Sequence, residues 1–409
     1  MVNIYRYVYG DFMDSKTNPN IKEKIDMIKL LKENDLYTYC LEVSSECANV
    51  ITVNGKKCIN FISNNYLGFS THPKVKEAVA VALNKYGLGI GGSPIACGTT
   101  DIHIKLMERI ASTYNKDASV LFASGYQAML GSIQAAIGKG DVVLLDELVH
   151  RSIVDGVILS GADKRMWLHN DTEDLAELLS KVSKKYQKML VIVDSVYSMD
   201  GDIADLPELR RLCEKYGAHL ILDEAHSLGV LGEKGCGILE HYGLKGGNEI
   251  IAGTFSKFAG AIGGFTAGSR DYIDFLQHTA SPFVFSASLS PLIVAGVYKS
   301  FDLLIEEPQW KEKLWKNVIF FQEGLKSIGF DIGPTRTPVI PLMIRDMEKT
   351  LRFNKMILDN GVFASPIIAP GVPPAESRIR LGVIATHTQD DLEKSIEVFK
   401  KAGKELGII

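Results

Sequence analysis

From about residue 100 onward, short unbroken apolar runs alternate with stretches whose apolar positions recur every three to four residues. The runs Ser119–Ala123, Asp141–Leu145, Met189–Asp194, His219–Asp223 and Glu249–Gly253 predict strands, with helices such as Tyr126–Ile137 and Pro207–Tyr216 between them. Continuous apolar strands separated by helices predict a mostly parallel sheet covered on both faces. Upstream, Ile25, Ile28, Leu30 and Leu31 fall at helical spacing within Ile21–Asn34, and Val53-Asn54-Gly55-Lys56 marks a short hairpin. Beyond a helix that begins near Pro291 the pattern changes. Strand candidates Val339–Ile344 and Arg378–Ile384 mix with helices Met347–Asn360 and Gln389–Lys401, and Thr388 with Asp391 fits a capping box for the last helix. The expected organisation is α/β: an N-terminal helix and hairpin segment over residues 1–60, a large domain over 61–305 and a smaller C-terminal α+β domain over 306–409.

Composition narrows the class without changing this picture. Hydrophobic residues make up 46% of the chain and charged residues 23%, ordinary globular usage that excludes disorder. The formal net charge is −4, and the densest positive stretch, Lys184-Lys185-Tyr186-Gln187-Lys188, fits a solvated helix end better than a phosphate track. Nucleic acid is therefore not the expected partner. Cys40, Cys47, Cys58, Cys97, Cys213 and Cys236 form no C-x-x-C pair and have no histidine at metal spacing. They predict reduced, mostly buried thiols and no metal site. The first residues lack the basic start and apolar core of a signal peptide, and no uncharged apolar run is long enough for a membrane span. The expectation is a cytoplasmic protein without an integral membrane segment.

In open parallel sheets ligands bind beyond the carboxyl ends of the strands. Here those ends carry chemistry. Asp194 closes one strand and Asp223-Glu224-Ala225-His226 the next, while Thr254-Phe255-Ser256-Lys257 follows a third. Ser124-Gly125-Tyr126 and Asp146-Glu147-Leu148-Val149-His150 follow two more. Asp-Glu-Ala-His also matches a helicase signature, but that chemistry needs an upstream G-x-x-x-x-G-K-[ST] loop for the phosphates, and none exists.

Pyridoxal 5'-phosphate (PLP) fits these residues better. It needs a lysine for its aldehyde, a carboxylate against its pyridine nitrogen, and backbone N–H groups at a helix start for its phosphate. It also takes a flat group on its ring face. Lys257 lies 34 residues after the strand-end acid Asp223. Ser124-Gly125-Tyr126 opens a helix after a strand, Thr254 and Ser256 flank the lysine with hydroxyls, and His150 can stack. Each part alone is weak, because a strand-end Asp is commonly a cap and a lone Lys is usually a solvated charge. Their order around one sheet is the stronger signal.

Four segments carry a family resemblance: Ser63-Asn64-Asn65-Tyr66-Leu67-Gly68, Asp194 through Asp202, Asp223-Glu224-Ala225-His226-Ser227-Leu228-Gly229, and Gly253-Thr254-Phe255-Ser256-Lys257. In these the chain resembles the α-oxoamine synthases, PLP-dependent enzymes of the fold type I transferase class, from about residue 25 to the end. The resemblance implies Lys257 as the Schiff-base lysine, Asp223 as partner of the pyridine nitrogen, His226 against the ring phenolate oxygen and His150 stacked on the ring. It implies phosphate contacts from Gly125 and Tyr126 with Ser124, Thr254 and Ser256, and places Asp194 in the cofactor site. It implies a homodimer with a shared site, in which Ser286 and Ala287 reach the phosphate from the partner chain. Asn65, Tyr66 and Arg380 are then the amino-acid site, with Asn65 and Arg380 on the substrate carboxylate.

The reaction so implied is a decarboxylative condensation of a small L-amino acid with an acyl-CoA, releasing CoA and an amino ketone, with Lys257 as proton-transfer base. Gly-Thr-Phe-Ser-Lys is most similar to the serine palmitoyltransferase branch, which would place the chain in sphingolipid biosynthesis. The 8-amino-7-oxononanoate synthase and 2-amino-3-ketobutyrate CoA ligase branches are the alternatives. An aminotransferase is a further rival. Many of those carry an arginine about two turns past the lysine, and Phe258 to Phe265 contains none. One departure stands out: Gly92-Ser93 is followed by Pro94, where synthase relatives often carry an arginine near the substrate channel.

Overall fold

The computed structural model describes residues 19–409; the start of the predicted lead-in, residues 1–18, lies outside the described residues. A helix spans Pro19–Glu33, with Leu31 buried but Ile28 and Leu30 exposed. Strands β1 (Val50–Val53) and β2 (Lys56–Asn60) form the predicted hairpin. Its two turn residues, Asn54 and Gly55, both have positive φ, the backbone of a primed two-residue turn matched to strand twist.

The central sheet has seven strands: β3 (Ala118–Phe122), β4 (Val142–Asp146), β5 (Asp163–Trp167), β6 (Met189–Asp194), β7 (His219–Asp223), β8 (Ile250–Thr254) and β9 (Gly264–Gly268). They lie in the order β3-β9-β8-β7-β6-β4-β5, parallel except for β9, which runs antiparallel to both neighbours. Strands β4 and β6 are buried along their whole length, so each reads as an unbroken apolar run. The two strands with no such run have opposite reasons. Strand β5, Asp-Lys-Arg-Met-Trp, is an edge with four exposed residues and needs no apolar pattern. Strand β9, Gly-Phe-Thr-Ala-Gly, is fully buried yet made mainly of small residues.

The last four strands are β10 (Val339–Met343), β11 (Val362–Phe363), β12 (Ser365–Ile367) and β13 (Arg378–Gly382). Three of them form an antiparallel sheet, β10-β13-β12, while β11 pairs in parallel with β2. Helices Met347–Asp359 and Gln389–Glu405 belong to this region, and the capping box of Thr388 and Asp391 is formed in both directions. The segment after β2 is stitched to the end of β13: Gly382 N donates to Phe61 O at 2.7 Å and Ala385 N to Tyr66 O at 2.7 Å. That stitching brings Asn64 and Tyr66 beside Arg380.

One expectation changes. Cys40, Cys47 and Cys97 are exposed, so the thiols are not mostly buried; these three sit in irregular or short-helical segments at the surface. Pro94 occupies the first position of a single helical turn, Pro94–Cys97, where its fixed φ and missing N–H are tolerated. Among the described residues no helix is long and apolar enough to cross a membrane.

Candidate active site

The carboxyl ends of β3, β4, β6, β7 and β8 open onto a cavity of about 260 Å³ lined by Ser124, Gly125, Tyr126, His150, Asp194, Asp223, His226, Thr254, Ser256 and Lys257. Ten sequence-predicted residues are thus brought together, and Ser152, Val196, Ser198, Ala225, Ile262 and Gly263 line the same space.

Asp194 and Asp223 lie side by side in register on β6 and β7. Burial pushes both carboxyls above their ordinary values; the neighbouring Asp223 charge adds to the shift of Asp194, while Lys257 and His150 pull Asp223 back. Asp223 Oδ1 accepts the Ala225 N–H at 2.9 Å, a bond that fixes the carboxylate at the cavity wall. Burial also lowers Lys257, with Asp223 opposing and Arg380 adding to the shift. A lysine held below its usual range gives up its proton more readily and so serves better as a base.

His150 caps helix Arg151–Ser160: its Nδ1 accepts from Ser152 N at 3.2 Å, and its own N–H donates to Asp194 Oδ1 at 3.4 Å. Burial, helped by the Lys257 charge, lowers its pKa, so the ring is neutral. His226 is lowered further, by burial and then by Lys257 and Arg380. Its Nδ1 lies 2.6 Å from the Tyr66 hydroxyl. Burial pushes the Tyr66 phenol up to about 12, so it stays protonated beside the neutral ring, with Asn64 Oδ1 a second partner at 3.4 Å.

Helix Gly125–Ala136 begins at the cavity with Ser124 as N-cap, its Oγ accepting from Gln127 N at 3.2 Å. A β-carbon on Gly125 would stand 2.5 Å from Thr254 Cβ, so only glycine lets the helix start come this close to β8. The Tyr126 phenol donates to Asp155. Thr254 Oγ1 and Ser256 Oγ are 3.0 Å apart. A helix N-terminus, a glycine and hydroxyls on the facing strand make an anion cradle.

Arg380 is buried on β13, its Nε donating to Ser198 O at 2.6 Å and its Nη1 to Asn64 Oδ1 at 3.0 Å. Asn65, expected with Arg380 on the substrate carboxylate, is not a hydrogen-bond partner of that arginine. Asn65 turns away: its Nδ2 donates to Ser70 Oγ at 2.7 Å and to Cys47 O at 3.4 Å, and the residue is buried. Asn64 is the partner of Arg380. Two consecutive asparagines gave no sign of which one faces the arginine, since that depends on the backbone between β2 and Tyr66. Ser286 and Ala287 do not line the cavity; Gln127 Nε2 donates to Ser286 Oγ at 3.4 Å, and Ala287 is exposed.

The residues fit PLP. A buried carboxylate, a neutral histidine, a buried lysine and an anion cradle line one cavity, and that is the donor set which a cationic ring with an anionic tail requires.

Comparisons with known proteins agree with this chemistry. A family model for aminotransferase class I and II matches residues 56–399. A serine palmitoyltransferase of Sphingobacterium spiritivorum is 42% identical over 381 residues, covering 92% of this chain and 95% of its own. An 8-amino-7-oxononanoate synthase of Thermoanaerobacter pseudethanolicus is 42% identical over 389 residues, covering 95% of this chain and 98% of its own. A high-resolution structure of SPT with its PLP internal aldimine superposes with a TM-score of 0.92 at 31% identity, over 96% of this chain and 99% of that one.

Proposed function

Because the chain belongs to the aminotransferase class I and II family, as a PLP-dependent α-oxoamine synthase, we propose that it acylates L-serine with a long-chain acyl-CoA. In that reaction the serine Cα–carboxylate bond and the acyl–sulfur bond break, a Cα–acyl bond forms, and CO₂ and CoA leave. The single observation that carries the reading is the superposition on SPT with its PLP internal aldimine, at a TM-score of 0.92 over 96% of this chain. The Arg380 guanidinium, anchored by Ser198 and Asn64 in the electrostatic reach of Lys257, adds an anchor for the amino-acid carboxylate, which an aminotransferase would need as well.

PLP, when bound, supplies the electron sink that makes the amino-acid Cα proton removable. Lys257 would hold it and move that proton with its Nζ. Asp223 would pair with the pyridine nitrogen and keep it protonated, His226 would hydrogen-bond the ring oxygen, and His150 would cover the ring and exclude water. Gly125 and Tyr126 offer backbone N–H groups to the phosphate, joined by the hydroxyls of Ser124, Thr254 and Ser256, and Asp194 braces His150. Arg380 with Asn64 takes the substrate carboxylate, and Tyr66 fixes His226.

Support for serine over alanine comes from the close superposition on SPT and from Gly-Thr-Phe-Ser-Lys around the lysine. An equal identity to an 8-amino-7-oxononanoate synthase favours a second reading, alanine with a carboxyl-ended acyl donor and a role in biotin synthesis. CoA release decides between them. Serine with palmitoyl-CoA should be preferred, and faster turnover of alanine with pimeloyl-CoA overturns the first reading. Formation of the amine form of the cofactor from an amino donor alone would instead favour an aminotransferase.

The division into a segment over residues 1–60, a large domain over 61–305 and a small one over 306–409 belongs to the same proposal, as does a cytoplasmic homodimer. Phe285, next to Ser286, is 86% exposed in the single chain, and Leu88, whose carbonyl accepts from Ser290, is 81% exposed; such apolar surface supports a partner there.

A further inference from the structure

We propose that His169 is a positioning residue: it joins the loop that carries His150 to the turn that holds Arg380, so that ring face and substrate carboxylate keep one relative placement. This rests on the reading of Arg380 as the carboxylate group.

His169 follows the edge strand β5 and does not line the cavity. Its Nδ1 lies 2.9 Å from Asp146 Oδ1 and its Nε2 3.0 Å from Asp202 Oδ2. Two carboxylates facing the two ring nitrogens require both nitrogens to be donors, which makes the ring an imidazolium. Burial alone would lower its pKa; Asp146 and Asp202 overcome that and raise it to about 10. The ring also stands edge-on to Tyr197, with centroids 4.4 Å apart.

Each carboxylate leads to a different part of the site. Asp146 ends β4, is fully buried, and accepts from Leu148 N at 2.9 Å and Asn170 N at 2.8 Å. It thus shapes the short loop that ends at His150. Asp202 closes the turn that begins at Tyr197: Tyr197 N donates to Asp202 O at 3.1 Å, and Asn170 Nδ2 donates to Asp202 Oδ2 at 2.9 Å. Within that turn Ser198 O takes the Arg380 Nε, and Asp200 pairs with the buried Arg378 at 2.5 Å. The turn is held from the far side as well, where Thr337 Oγ1 donates to Gly201 O at 3.0 Å. Gly201 has φ of +69°, and a β-carbon there would stand 2.2 Å from Val339 O. The turn is thus held on its far side by Thr337 and Arg378, and on its near side it meets the β4 end through His169, with Asn170 and Tyr197 as neutral partners of the same carboxylates. Rigid support of groups that touch the substrate is what holds reacting atoms in place.

The test uses the holoenzyme of two variants, Asp202→Asn and His169→Gln, with Arg380→Ala as reference. Asp202→Asn leaves His169 paired with Asp146 and removes the charge by which the turn holds its Nε2. It should raise the amino-acid KM by about tenfold, leave the acyl-CoA KM within about twofold, and leave the visible circular dichroism of the bound cofactor unchanged. His169→Gln should show the same KM split and also alter that dichroism, because His150 moves too. A purely structural role predicts otherwise: equal changes in both KM values, or a fall in kcat alone, in folded Asp202→Asn protein overturns the inference. If Arg380→Ala itself leaves the amino-acid KM unchanged, the carboxylate reading fails first. If Arg380→Ala raises it and Asp202→Asn does not, the positioning inference alone fails.

Discussion

Replacing Arg380 with alanine should weaken amino-acid binding by one charge-assisted interaction and shift the pH profile in the same variant. The guanidinium spends Nε on Ser198 O and Nη1 on Asn64 Oδ1, which leaves Nη2, and the second proton of Nη1, for a carboxylate. A hydrogen bond to a charged group contributes about 1.5–3 kcal/mol, so its loss should raise the amino-acid KM by roughly 10- to 150-fold. Arg380 also lowers Lys257, after burial and against Asp223. Without it the lysine rises, and the acid limb of the kcat profile should move to higher pH, because the base acts in its neutral form. Arg380→Lys keeps the charge but not the fork. It should retain most of the pH profile while still losing affinity. Steady-state kinetics against amino acid and acyl-CoA separately, from pH 6 to 9, would measure both effects. An amino-acid KM within about twofold of the parent, in protein with unchanged melting temperature, refutes the assignment.

Lys257→Ala should give folded protein without the visible absorbance of covalently held PLP and with turnover reduced by at least about a thousandfold; an unchanged spectrum would remove the lysine from the site. Asn64→Ala should raise the amino-acid KM by roughly five- to tenfold, through a less firmly held Arg380. Asn65→Ala, by contrast, should lower the melting temperature with little change in KM, because it loses the bonds to Ser70 and Cys47. The reverse pattern would reinstate Asn65 as the substrate contact. His169 has a folded pKa raised from 6.5 to about 10. Its ion pairs therefore contribute stability that is full below pH 6.5 and lost as pH rises through about 10. Thermal melts of the parent should fall more steeply between pH 7 and 10 than those of His169→Gln; parallel curves would show that the imidazolium does not form.

The contrast between strands β6 and β9 shows why some of this architecture was legible in the chain and some was not. Met189–Asp194 is buried on both faces, so its sequence is an apolar run ending in a functional acid, and pattern alone locates both strand and site residue. Strand β9 is just as buried, but its packing against the start of helix Gly125–Ala136 requires small residues. A β-carbon on Gly264 would stand 2.6 Å from Gly125 N, and that constraint erases the apolar signal. His169 was silent for another reason. A histidine after a polar edge strand carries no motif; only when β4, β5 and the turn after β6 come together do Asp146 and Asp202 appear on its two nitrogens.

By itself, then, the sequence determined the elements that depend on neighbours along the chain: buried parallel strands, the capped last helix, and the order in which strand ends present Ser124, His150, Asp194, Asp223 and Lys257. Those are legible because periodicity and caps act within a few residues. Tertiary structure decided what depends on contacts between distant segments. It chose Asn64 over Asn65 for Arg380, 316 residues away. It made His169 a cation by placing carboxylates from 23 and 33 residues away on its two sides. Burial and neighbouring charge, which exist only once the chain has folded, set the protonation states on which the chemistry of the site depends.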